Sequence, residues 1–258
     1  EQVIKYKINR ESEIQPYFDR YVEKMKNHRH FKSKKSHGKI LIYSDVKLRF
    51  PPMIYKSYFN ASQTIILSKQ SQRDEYFGIP VHTIADNEID SSTMAQNYIK
   101  MAERIFTRHD QHPIFSQTVF QNKFIHLIPE MVNLLVALDQ YYDQHAISCV
   151  IVGYTGTPIS RVITLLAAQR GIPSICMQHG SILCKVGGYT PVLATKQAVY
   201  GPYEMNWYKK RGVPDYRLAM IGHPRFDIIY TKKTKPRKQF MKKLKLNPKY
   251  KNVLIVTQ

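Results

Sequence analysis

The sequence predicts an α/β fold in which a parallel sheet is covered by helices on both faces. Three observations carry this expectation. Short continuous apolar runs such as "KILIYSDV" (39–46) and "CVIVGYTG" (149–156) have the pattern of strands buried on both sides. Stretches with apolar residues at helical spacing separate those runs. Turn residues fall at the junctions, as in "TPISRVITLLAAQR" (157–170), where Pro158 opens the first turn and Gly171 follows the end.

Taken in order, Glu11 to His30 reads as a helix with an apolar stripe of Tyr17, Phe18, Tyr21, Val22 and Met25. The strand 39–46 follows, and Pro51-Pro52 opens a short helix. "QTIILSKQ" (63–70) and "VHTIADNEI" (81–89) read as further strands. Ser91-Ser92 can cap a helix through about Arg108, and His112-Pro113 starts a long helical region to about His145. A strand, the 157–170 helix and the strand "IPSICMQHG" (172–180) come next. "QAVYG" (197–201), a helix across "PYEMNWYKKRG" and "RLAMIGHPRFD" (217–227) continue the alternation. Repeated units of this kind imply parallel strands joined by helical crossovers.

"NVLIVTQ" (252–258) again has the pattern of a buried strand, with no following segment to cover it. The expected organisation is therefore a helical and basic segment over 1–36 and an α/β domain over 37–227. A basic linker over 228–251 then leads to the first strand of a truncated second domain, 252–258.

Composition bounds the function classes. With 258 residues and 43% hydrophobic content, the chain can bury a proper core, and eighteen Tyr and eleven Phe argue against disorder. Cys149, Cys176 and Cys184 form no C-x-x-C pair, which favours reduced buried thiols and a cytoplasmic protein. No zinc spacing and no Asp-x-Asp motif is present, so no metal and no cofactor is expected. The start carries no signal-peptide pattern. The most apolar helical stretch, 124–142, is interrupted by His126, Pro129, Glu130, Asn133 and Asp139, which marks it as a core helix and not a membrane span.

The net charge of +20 is concentrated in two places. Residues 24–39 and 228–251 hold 17 of the 39 basic residues and no acid, so the rest of the chain carries 22 basic against 19 acidic residues. Such segments suit an anionic membrane surface or a polyanionic polymer. Nucleic acid is disfavoured, because few aromatics interleave with the charges and no recognition motif accompanies them.

Ligand groups gather at the carboxyl ends of parallel strands. The loops "GYTGTP" and "QHGS" should open on that edge. Tyr154, Thr155, Gly156 and Thr157 of the first loop, and Gln178, His179, Gly180 and Ser181 of the second, are the candidate binding residues. Arg161, one turn into the following helix, could reach a phosphate. His179 is the candidate catalytic residue, since an imidazole can remove a proton from a hydroxyl nucleophile. His223 and Arg225 in "GHPRFD" are placed at a hinge.

From about Cys149 to Asp227, "VIVGYTGTPISRVITLLAAQRGIPSICMQHG", "QAVYGPYEMNWYKKRGV" and "MIGHPRFD" run in an order that resembles the acceptor-side half of GT-B glycosyltransferase-like proteins. These include bacterial polysaccharide transferases and the CDP-glycerol glycerophosphotransferases of teichoic acid synthesis. The resemblance implies a Rossmann-like first domain facing a second domain that binds a nucleotide-linked donor. It also implies that His179-Gly180 matches a His-Gly pair carrying a proposed catalytic base. The expected function is transfer of a sugar or alcohol phosphate from a nucleotide-activated donor to a cell-surface polysaccharide or lipid-linked acceptor. The expected location is cytoplasmic, peripheral on the inner membrane face, and the chain by itself is expected to be inactive. The region is also similar to non-hydrolysing UDP-N-acetylglucosamine 2-epimerases. Those carry Gly-Asp-Thr and Glu-Ala-Gly where this chain has Gly153-Tyr154-Thr155 and Gln178-His179-Gly180. An epimerase and a non-catalytic binding or assembly module are the alternatives.

Overall fold

The computed structural model describes residues 10–27, 38–45, 47–48, 50–84, 91–182, 189–227, 229, 236–247, 249–251, 253 and 255. Helix α1 spans Ile14–Asn27, β1 Lys39–Tyr43, α2 Pro52–Tyr58, β2 Thr64–Ser68, β3 Glu75–Tyr76 and β4 Ile79–Thr83. Then come α3 (Ser92–Arg108), α4 (Thr118–Gln144), β5 (Ile147–Val152), α5 (Pro158–Gln169) and β6 (Ser174–Met177). The series continues with β7 (Lys196–Val199), α6 (Pro202–Lys209), β8 (Leu218–Met220) and α7 (Arg237–Lys243).

The strands form one sheet in the order β3-β4-β2-β1-β5-β6-β7-β8. Every pairing is parallel except β3 with β4, a hairpin at the edge. The expected α/β fold with a mostly parallel sheet and helices on both faces is what the chain adopts. Alternate residues of the central strands feed opposite layers, because a strand has a side-chain period of two. Leu41, Tyr43, Ile65, Leu67, Val150 and Val152 pack with Leu138 and Tyr142 of α4 and Ile163 and Leu166 of α5. Ile42, Ile66 and Ile151 face the other way, onto Leu48 and Tyr55. A third cluster holds Trp207 and Tyr208 of α6 against Val192, Val199, Val213 and Leu218. Strands buried on both faces explain why their sequence reads as unbroken apolar runs.

Chain order places β2 and β4 on one side of β1, and β5 through β8 on the other. The direction of strand addition thus reverses between β1 and β5, the point where open α/β sheets form a crevice at their carboxyl edge.

The chain divides into two compact units, Glu1–Gly222 and His223–Gln258. Helix α1 belongs to the first: the buried Gln15 amide accepts from Val192 N at 2.6 Å and donates to Val192 O at 3.1 Å. Arg217 of that unit pairs with Asp19 at 2.7 Å. The second unit contains α7, inside the segment read as a linker. Of the strand read over 252–258, only Val253 and Ile255 are described; neither is in a strand, and both stand exposed.

Several boundaries differ from the sequence reading. The first helix is α-helical from Ile14, after a single tighter turn at Glu11–Glu13; its expected end at 28–30 lies outside the described residues. The strand expected over 81–89 ends at Thr83, and 85–90 lie outside the described residues. The long helix begins at Thr118, not at His112. The His112 ring nitrogen Nδ1 accepts from Ile114 N and Phe115 N, each at 3.3 Å, and Gln117 is extended, so Pro113 opens a turn and not a helix. The strand read within 217–227 is only Leu218–Met220, closed by Gly222 in the left-handed region. Strand β3 carried no recognised strand signal, since a two-residue strand is too short to show periodicity. Among the described residues, no helix is long and apolar enough to cross a membrane.

Candidate functional site

The loop after β5 and the loop after β6 meet at the carboxyl edge and line a small, partly open cleft. Its wall and floor comprise Tyr154, Thr155, Cys176, Gln178, His179, Tyr189, Gln197 and Tyr208, with Gly153 and Met177. The three rings at the mouth pack together. Tyr154 meets the His179 imidazole edge to face at 4.9 Å, and Tyr189 lies nearly parallel to it at 5.9 Å. Tyr154 and Tyr189 are 5.7 Å apart.

Two glycines make this geometry possible. A side chain at Gly153 would run into the backbone of Lys47 and Leu48, so the loop after β5 can lie against the loop after β1 only without one. That second loop is fixed by Asp45, which accepts from Lys47 N at 2.8 Å and Leu48 N at 3.0 Å. A side chain at Gly156 would collide with the ring of Tyr154, which folds back across the loop to reach His179. Gly180, by contrast, has open space around its Cα.

The other expected residues divide by what their polar atoms already do. The Gln178 side chain accepts from Tyr200 N at 2.9 Å and donates to Gly180 O at 2.8 Å and to Glu204 Oε1 at 3.3 Å. It thereby locks the His179 loop onto β7 and the start of α6. Thr157 caps α5, its hydroxyl sharing a 2.6 Å bond with Ser160 Oγ, and does not line the cleft. Arg161 donates from Nε to Thr155 O at 3.2 Å and so braces the loop. Thr155 is buried and Ser181 exposed. His223 and Arg225 belong to the second unit, where the His223 ring accepts from Arg225 N at 3.2 Å and stacks on Phe226.

Sequence reasoning missed Tyr189, Gln197, Cys176 and Tyr208 as cleft residues. Tyr189 has no motif around it, and the other three read as core positions of strands and of α6. Burial pushes the Cys176 thiol up to about 12, against a partly compensating bond from the Gln197 side chain. Burial also raises the Tyr189 and Tyr208 hydroxyls above their ordinary value. The floor is therefore uncharged at neutral pH, and the walls are aromatic. A ligand hydroxyl placed at this rim would meet the two tyrosine rings and the imidazole. Among the described residues, no group of His, Cys, Asp or Glu is arranged to hold a metal ion. Cys149 is half-buried and unpaired, and Cys184 lies outside the described residues.

Comparison with protein-family models, with curated proteins and with solved structures finds no match to this chain.

Proposed function

We propose that this domain is the acceptor-side half of a transferase that moves a sugar or an alcohol phosphate from a nucleotide-activated donor to a cell-surface polysaccharide or lipid-linked acceptor. The observation that carries the reading is the placement of His179. It stands at the carboxyl edge of a parallel sheet, beside the strand-order reversal, against two tyrosine rings at the mouth of an uncharged cleft. In this reading an acceptor hydroxyl sits against Tyr154 and Tyr189, and the imidazole takes its proton as the oxygen attacks the donor carbon or phosphorus. The donor's leaving phosphate departs with the nucleotide into a facing domain. Gln178 and Arg161 hold the two loops in place and touch neither substrate.

The test is transfer by the chain joined to a donor-binding half, with CDP-glycerol and UDP-sugars as donors and lipid-linked acceptors. His179→Ala and His179→Gln should each lose roughly 10²–10⁴ in rate with donor affinity unchanged. Rates within threefold of the unaltered protein refute the assignment.

A binding module remains the second reading, favoured by how many of the expected ligand groups are spent within the protein. The Gln178 amide, the Thr157 hydroxyl and Arg161 Nε all bond to the chain itself. Acceptor binding that survives His179→Ala, without turnover by either form, selects it.

A further inference from the structure

Helices α3 and α4 form an antiparallel hairpin. Ser91 bonds to Asn133 at one end, and Phe106 packs on Phe120 and Phe124 at the other, with ring centroids 6.0 and 5.7 Å apart. Their contact seam repeats at 4-3-4 spacing: Ala95, Ile99, Ala102 and Phe106 on α3, against Gln121, Ile125, Ile128 and Val132 on α4. Only the second half of α4 covers the sheet. Arg170, just past α5, pairs with Asp139 and Asp143 at 2.6 and 2.9 Å, and both helices descend in the same direction. At 1.5 Å per residue, Pro158 is then level with about residue 130, so the first half of α4, up to Pro129, lies past the carboxyl edge. The hairpin therefore rises from the same edge of the sheet as the His179 cleft.

The two broad faces of this hairpin differ sharply. In an antiparallel pair, the residues one position before each seam residue point to the same side from both helices. On α3 these are Met94, Tyr98, Met101 and Ile105, each between 43% and 53% exposed. On α4 they include Phe120, Phe124 and Leu127, the last two about half exposed. The residues one position after the seam form the opposite face: Gln96, Lys100, Glu103 and Thr107, with Asn122, His126 and Asn133. Monomeric soluble domains rarely leave two adjacent apolar helix stripes in water.

We propose that this face docks on an anionic lipid surface. Charge selects the occupant. The outer edges of the apolar face carry Arg104, Arg108 and Lys123 against the single carboxylate Glu130, in a chain of net charge +20. Two copies meeting on this face would set those cations against one another, whereas anionic headgroups complement them. Apolar side chains with arginine and lysine at their edges match a helix lying in the membrane interface. The surface would hold the cleft close to a lipid-linked acceptor. It extends the transferase reading, but its evidence is separate from His179, and vesicle binding is measured without donor or acceptor. Either reading can therefore fail alone.

The experiment is flotation of the full chain with vesicles of phosphatidylglycerol mixed into phosphatidylcholine, and with phosphatidylcholine alone. Binding is expected to the mixed vesicles, falling with salt. A triple variant, Met101→Gln, Ile105→Gln and Leu127→Gln, should lower partition by roughly a hundredfold while keeping its circular dichroism and melting temperature. A fluorophore attached through Ile105→Cys should shift to the blue with mixed vesicles, and one attached through Thr107→Cys should not. This separates insertion from simple adsorption through residues 24–39 and 228–251. The proposal is overturned if the triple variant partitions like the unaltered chain, or if the two probes respond alike. It is equally overturned if sedimentation shows a self-association that the triple variant abolishes while vesicle binding persists.

Discussion

Replacing Gln178 by methionine tests how the His179 loop is held. Methionine keeps the length of the side chain and removes its polar atoms, while the main-chain bonds at this position survive. Gln178 N still donates to Ala198 O at 3.0 Å, and the Tyr200 hydroxyl still donates to Gln178 O at 2.8 Å. What disappears is the acceptor for Tyr200 N and the donor to Gly180 O and Glu204. Each of the first two bonds is worth about 1 kcal/mol net, and an orphaned amide adds to the first. The bond to Glu204 is longer and half exposed and adds little. The expected loss is about 2–3 kcal/mol in urea unfolding at neutral pH, or roughly 4–12 °C in melting temperature for a chain of this size. Hydrogen exchange at the Tyr200 amide should quicken beyond what the global loss explains. A loss below about 0.5 kcal/mol with Tyr200 protection unchanged would show that the loop is held by its aromatic packing and not by this amide.

Two further outcomes follow from the same structure. Gly153→Ala forces a Cβ into the backbone of Lys47 and Leu48, and should cost about 1–3 kcal/mol by denaturant unfolding; a neutral result would mean that the two loops separate freely. His82 bonds through Nδ1 to the Tyr141 hydroxyl at 2.9 Å, and burial, His145 and Lys39 hold its pKa below the ordinary value. A lowered folded-state value means that the unfolded chain takes up this proton first. Stability should therefore fall as pH drops through 6.5, and His82→Gln should flatten that slope in urea unfolding at successive pH values. An unchanged slope would assign the acid sensitivity elsewhere.

Much of this architecture was legible in the sequence because burial on both faces leaves an unmistakable mark. The central strands β1, β2 and β5 read as apolar runs, and α5 announced its limits through Pro158 and Gly171, whereas the cap by Thr157 did not show. Long-range pairing was not legible. Nothing local in "DEYFG" shows that it turns back to pair with the strand at Val81, and the turn at His112 depends on where that ring bonds.

The candidate site divides along the same line. Sequence by itself placed His179 at the end of a buried strand and named both loops, because strand order along the chain fixes which ends are carboxyl ends. Only the tertiary structure decided what those residues do. It brought Tyr189 across to the imidazole, turned Gln178 and Arg161 inward as braces, and set Cys176 and Tyr208 beneath the cleft. It also decided that α3 and α4 turn one shared apolar face to solvent. Each helix alone shows apolar residues on more than one side, and only their antiparallel contact determines which stripe is consumed by the seam and which is left outside.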